Sequence, residues 1–131
     1  MAKYAYPAVF TAEEEGGYSV NFPDIEACYT CGETMAEALE MAQDILSLRM
    51  CDIEDNGEAI PEPSDIRKMQ TANNEIVSLV ACDTVEYRKL YDDRTVKKTL
   101  TIPLWLNTAA EKAEINFSSV LRSALINQLG L

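Results

Sequence analysis

The feature that most constrains this chain is the stretch Lys97-Lys98-Thr99-Leu100-Thr101-Ile102-Pro103 and the helical sequence after it. Leu100 and Ile102 alternate with Lys97, Thr99 and Thr101, which is the period of a strand with one apolar and one polar face. Pro103 ends any ladder and suits the first residue of a helix. Leu106, Ala110 and Ala113 give that helix an apolar stripe, and Asn116 can cap a second one. In the second helix Phe117, Val120, Leu121, Ala124 and Leu125 recur with helical spacing. One strand and two short helices cannot close a core, and a lone strand has two unpaired edges. The economical solution is a second copy of the chain. The two strands then pair antiparallel, and four helices bury a dimer core of Leu100, Ile102, Leu106, Val120, Leu121, Ala124 and Leu125. The other face becomes a two-stranded ribbon of Lys and Thr side chains, narrow enough for a DNA major groove.

This order of strand, Pro, helix, turn and helix over Val96–Leu129 resembles the ribbon-helix-helix DNA-binding family. The resemblance implies that Lys97, Thr99 and Thr101 read bases. It also implies that the start of the second helix, Asn116, Phe117, Ser118 and Ser119, grips a phosphate, as a helix N-terminus does on its own physics. Lys98 falls on the apolar side of the alternation and is expected to reach the phosphate backbone with its ammonium group. The turn Ala113-Glu114-Ile115-Asn116 has no Gly, so Asn116 is expected to supply any left-handed residue. Two other readings remain: an ordinary edge strand of the preceding domain with a helical tail, or a helix-turn-helix over 104–129. The second leaves the alternating strand without a purpose.

Charge bears on the DNA reading. The chain has 131 residues and a net charge of −11, which by itself argues against nucleic acid. The distribution is uneven. Residues 94–131 hold five basic against two acidic side chains, a balance of +3, while residues 1–93 hold six against twenty, a balance of −14. This asymmetry falls where the pattern draws a boundary, as two modules of different task would require. Apolar content of 47% supports a real core. No run of eighteen apolar residues and no signal-peptide pattern is present, so a cytoplasmic protein without membrane contact is expected.

Ahead of the boundary, Tyr4–Thr11 reads as a strand, Glu13–Gly17 as a turn, and Tyr18–Phe22 as the returning strand of a hairpin. A short strand is expected around Ala27–Thr30. Thr34 and Glu37 form a capping box for a long helix. Its apolar stripe is Met35, Ala38, Leu39, Ala42, Ile45, Leu46 and Met50, its outer face carries Glu33, Glu37, Glu40 and Asp44, and Asn56-Gly57 ends it. Glu75–Cys82 is a hydrophobic strand long enough to be expected at the centre of the sheet, and Asp83-Thr84 opens a short helix. The order is β-β-β-α-β-α and then β-α-α, an α+β architecture.

Within this part, Gly16-Gly17-Tyr18-Ser19-Val20, Phe22-Pro23-Asp24, Thr30-Cys31-Gly32-Glu33-Thr34, Glu37-Ala38 and Ile60-Pro61-Glu62-Pro63-Ser64 resemble the HicB antitoxin family. The family pattern is G-G-Y-x-V-x-F-P-D, T-x-G-x-T-x-x-E-A and I-P-x-P-S, here in order over about 60 residues. The resemblance implies a partial ribonuclease-H-like N-terminal domain, residues 1–93, that neutralises a small basic mRNA-cleaving toxin of the HicA type. It further implies a DNA-binding C-terminal domain, residues 94–131, that represses the shared operon through operator DNA. An acidic domain suits a basic toxin, which it would attract at long range. The acidic turn Glu13–Glu15 and the Glu37/Glu40/Asp44 face are also ordinary solvated surface. Asp24 suits a toxin contact or a structural cap after Pro23 equally.

Catalysis is not expected. Ribonuclease-H chemistry needs several carboxylates converging on paired divalent ions, and the acidic residues here lie in turns and on a helix face. The chain has no His, the usual acid or base near neutral pH. Cys28 and Cys31 have C-x-x-C spacing, yet Cys51 and Cys82 form no second close pair, so reduced thiols are expected rather than zinc. No metal and no cofactor is predicted. The leading reading is an antitoxin and autorepressor acting as a dimer or higher oligomer. A stand-alone ribbon-helix-helix regulator comes second, and a ribonuclease-H-type enzyme third.

Overall fold

The structure is a computed structural model and describes residues 2–131. The chain divides into two compact units, the residues up to Arg94 and Thr95–Leu131. The first contains strands β1 (Lys3–Ala12), β2 (Tyr18–Asn21) and β3 (Tyr29–Gly32), helix α1 (Met35–Asn56), strand β4 (Glu75–Asp83) and helix α2 (Thr84–Tyr91). A single 3-10 turn, Ile66–Lys68, interrupts the loop before β4. The second unit holds α3 (Leu104–Lys112) and α4 (Phe117–Leu129).

The sheet is antiparallel throughout, in the order β3-β2-β1-β4. Its centre is β1, paired on one side with β2 and on the other with β4. The bond from the Ala12 N–H to the Asn74 carbonyl puts even-numbered β1 positions on the β4 side. The bond from the Glu13 N–H to the Gly17 carbonyl puts odd-numbered ones on the β2 side. β2 reaches only as far as Val9 opposite Asn21. Pro7 therefore points its missing donor to where no ladder partner is required, and so a proline is tolerated in a central strand.

Tyr6, Ala8 and Phe10 of β1 join Val20, Phe22, Ile25, Cys28, Val80 and Cys82 in one core, closed by Ala38, Ala42, Leu46, Met50 and Ile53 of α1. Small residues at 38 and 42 let the helix approach the sheet closely. At Gly32 a Cβ would lie 2.5 Å from the Ala38 nitrogen, so only glycine fits where β3 passes under α1. The capping reading of α1 holds: the Thr34 hydroxyl accepts the Glu37 N–H at 3.1 Å, and Gly57 ends the helix with φ +66°. Asp83 caps α2, accepting the amides of Val85 and Glu86.

Two expectations need correction. β4 is an edge strand, not a central one; its apolar composition reflects apolar side chains on both faces, not strands on both sides. Leu39 is not part of the buried stripe of α1. It lies 41% exposed, because a helix on one sheet face buries only the arc through 38, 42, 46 and 50.

In the second unit the turn between α3 and α4 also differs from expectation. The left-handed residue is Glu114, at φ +56°, not Asn116. Asn116 instead caps α4, its Oδ1 accepting the Ser119 N–H at 3.0 Å. Residues 95–103 run without secondary structure and form no ladder within the chain among the described residues. The strand expected there has no partner in a single copy.

Candidate functional site

Each unit carries a distinct surface. In Thr95–Leu131, the side chains expected to read bases, Lys97, Thr99 and Thr101, and the phosphate contact Lys98 are all exposed. Asn116, Phe117, Ser118 and Ser119 cluster at the α4 N-terminus. The Asn116 cap already uses the Ser119 amide, which leaves the amides of Phe117 and Ser118 at the open end of the helix for an anion. The expected dimer core residues are not buried in one copy. Leu100, Ile102, Leu106, Val120 and Leu125 are 41–62% exposed, Ala124 is exposed, and Leu121 is half-buried. No residue of α3 or α4 is buried. A unit in this state exposes apolar surface and has no buried core of its own.

The unit up to Arg94 is built differently, with a closed core and an acidic exterior. Glu13, Glu14 and Glu15 are exposed in the β1–β2 turn, and Glu33, Glu37, Glu40 and Asp44 are exposed at the start and along the outer face of α1. Glu13 is also tied locally, accepting the Ser19 hydroxyl at 2.7 Å.

The segments behind the family resemblance meet in space. Gly17, at φ +81°, packs against Gly32, whose carbonyl would lie 3.0 Å from a Cβ at position 17. The Asp24 carboxylate accepts both the backbone N–H of Ser64, at 2.9 Å, and its hydroxyl. The Tyr6 hydroxyl donates to the Pro61 carbonyl at 2.7 Å. Asp24 is thus a strut that pins the Ile60–Ser64 loop to the end of β2. Sequence spacing placed the two segments forty residues apart and gave no sign that one caps the other.

One polar cluster escaped the sequence reading altogether. Glu54, near the end of α1, accepts hydrogen bonds from Tyr4 at 2.7 Å, Thr84 at 3.1 Å and Arg88 at 3.1 Å. Arg88 also reaches Asp55 at 3.0 Å. Burial alone would raise the Glu54 carboxyl, but the hydrogen bonds to it outweigh burial and hold it at about 2. Burial and the bond to Glu54 push the Tyr4 phenol up to about 12. The cluster ties β1, α1 and α2 together. Its acids are matched to donors, so it reads as a clasp and not as a catalytic set.

The four cysteines form no disulfide. All four are free; Cys28, Cys51 and Cys82 are buried, whereas Cys31 is exposed on β3. Burial pushes the Cys28 and Cys82 thiols up to about 11, well away from thiolate reactivity near neutral pH. Among the described residues no group of three or more Cys, Asp or Glu side chains is placed to hold a metal ion. No described helix is long and apolar enough to cross a membrane.

An acidic, self-enclosed α+β unit followed by a basic helical unit with exposed apolar side chains defines a two-unit α+β protein. Comparison with known proteins places it further. Residues 6–130 match the family described as HicB_like antitoxin of bacterial toxin-antitoxin system, and the chain belongs to that family. It is 44% identical over 61 residues to the Antitoxin HicB of Escherichia coli K12, a match that takes in 47% of this chain and 44% of that protein. The chain thus matches less than half the length of this curated relative. A solved toxin–antitoxin complex from Streptococcus pneumoniae contains a chain 30% identical to this one, with a TM-score of 0.63, covering 96% of this chain and 99% of that one. The antitoxin HicB of Burkholderia pseudomallei has a similar fold at 17% identity, with a TM-score of 0.55 over 96% of this chain and 98% of that one.

Proposed function

We propose that this protein is the antitoxin of a HicA-type toxin and represses its own operon, binding operator DNA as a dimer or higher oligomer. The observation that carries the reading is the contrast between the units: one is closed and acidic, the other basic and without a core until something covers it. In this reading the first unit, expected to be a partial ribonuclease-H-like domain, binds and blocks a basic RNA-cleaving toxin. The second becomes a ribbon-helix-helix dimer, in which residues 97–102 of two copies pair antiparallel and Leu100, Ile102, Leu106, Val120, Leu121, Ala124 and Leu125 form the shared core. Lys97, Thr99 and Thr101 then face base edges, while Lys98 and the α4 N-terminus hold phosphates. Cytoplasmic residence and the absence of any catalytic step, metal or cofactor belong to the same reading.

The test is co-expression with the toxin encoded in the same operon. The chain should restore growth, copurify with the toxin, and retard a promoter fragment on a gel. DNA binding that persists with no toxin association would transfer the assignment to a stand-alone regulator. Metal-dependent RNA cleavage by the purified chain would transfer it to an enzyme.

A further inference from the structure

Among the described residues no strand lies against the outer edge of β4. Its register with β1 runs through nine consecutive pairs, from Glu75 opposite Thr11 to Asp83 opposite Lys3, without a bulge. The strand EIVSLVACD contains no Pro, no Gly and no Lys or Arg, the usual means of blunting an edge. The other edge strand, β3, is four residues long and ends at Gly32. Because even-numbered β4 positions bond to β1, the amides and carbonyls of Val77, Leu79 and Ala81 face outward. Among the described residues only side chains meet them. Gln43 Nε2 donates to the Ala81 carbonyl at 3.1 Å and the Ser78 hydroxyl to the Leu79 carbonyl at 3.3 Å. Each carbonyl keeps a second lone pair for another donor. Leu79 and Ile76, on opposite faces of the strand, are 55% and 56% exposed.

We infer that this edge is where the basic toxin docks, by adding an extended segment of its own to the sheet opposite Val77–Ala81. The inference rests on the antitoxin reading and names its surface. Charge selects the occupant. A second copy of β4 pairing about a two-fold axis at Leu79 would set Glu75 against Asp83 of the copy at both ends. It would also bring together two stretches, residues 1–93 of each copy, of −14 each. A strand with Lys or Arg at its ends meets the same two carboxylates favourably, and Leu79 and Ile76 offer an apolar rung to grip on either face.

The experiment uses the full chain and a catalytically inactive form of the toxin from the same operon, with affinity measured by calorimetry. Leu79→Pro removes an outward amide and places a ring on the edge while leaving the β1–β4 bonds, which use even positions, intact. Leu79→Lys charges an exposed position against a basic strand and does not strain the backbone, so it decides the matter if the proline variant fails to fold. Each should weaken toxin binding roughly tenfold or more. In the unaltered complex the Val77, Leu79 and Ala81 amides should exchange with solvent more slowly than in the free chain. Affinities within about twofold of the unaltered chain, or unchanged exchange at these amides, would overturn the docking site and leave the antitoxin reading standing. A drop in oligomeric mass with toxin affinity intact would assign the edge to a second copy and overturn it equally. No binding by the unaltered chain would remove both.

Discussion

Two carboxylates with structural tasks show how much a single side chain carries here. Glu54 accepts from Tyr4 of β1 and from Thr84 and Arg88 of α2, so Glu54→Gln replaces an ionised acceptor by an amide that cannot serve them all. A loss of about 1–3 kcal/mol in denaturant unfolding at pH 7 is expected. The pH dependence has a definite sign. A carboxyl held at about 2 when folded, against an ordinary 4.5, contributes stability that is complete above about 4.5 and is lost as pH falls toward 2. The unaltered protein should lose that increment across this window, and Glu54→Gln should flatten the curve there; acid titrations followed by circular dichroism measure it. Asp24→Ala should cost about 1–2 kcal/mol by freeing the Ile60–Ser64 loop. Raised proteolysis within 60–74 would accompany it, and the second unit would be unaffected. Under the proposed operator-binding role of the C-terminal unit, Thr101→Ala should relax base preference at one position per half-site by roughly 1–3 kcal/mol without altering dimerisation. Titrations against single-base operator variants read that out, and an unchanged preference profile removes Thr101 from the base-reading set.

At the scale of elements, the α3–α4 turn stores a small strain. Glu114 sits at φ +56°, a conformation that costs a residue with a Cβ about 1 kcal/mol relative to glycine. Glu114→Gly should therefore stabilise the C-terminal unit by up to about 1 kcal/mol, seen as a higher thermal midpoint in the assembled protein. An unchanged or lower midpoint would mean that the flexibility of glycine in the unfolded chain offsets the relief. Helix α1 shows the same separation of local from non-local cause. Thr34 and Gly57 delimit it by purely local chemistry, and those limits are legible from the residue types alone. Which of its apolar residues are buried depends on where the sheet lies beneath it, which is why Leu39 stays outside while Ala38 and Ala42 do not.

For the whole molecule, the division of labour predicts unequal behaviour of the parts. A fragment ending at Arg94 contains every buried residue of the core and should fold alone, with a thermal midpoint within about 5 °C of the same transition in the full chain. A fragment covering 95–131 has no core of its own, so its helicity should rise with concentration and vanish on dilution. Sedimentation and circular dichroism on the two fragments check this directly. A 95–131 fragment that stays helical and monomeric would remove the shared core from the account.

The sequence by itself determined the local elements: the β1–β2 hairpin turn, the caps of α1, α2 and α4, the charge boundary and the family pattern. Each of these is set by neighbours within a few residues or by composition, where backbone preference and capping chemistry suffice. The tertiary structure alone decided that β4 lies at an edge, that Asp24 holds the loop at Ser64, and that Glu54 gathers Tyr4, Thr84 and Arg88. Those depend on contacts between residues thirty to eighty apart, and no periodicity in a single chain records which strand lies beside which. An apolar strand with hydrophobic side chains on both faces looks the same whether it has one neighbour or two.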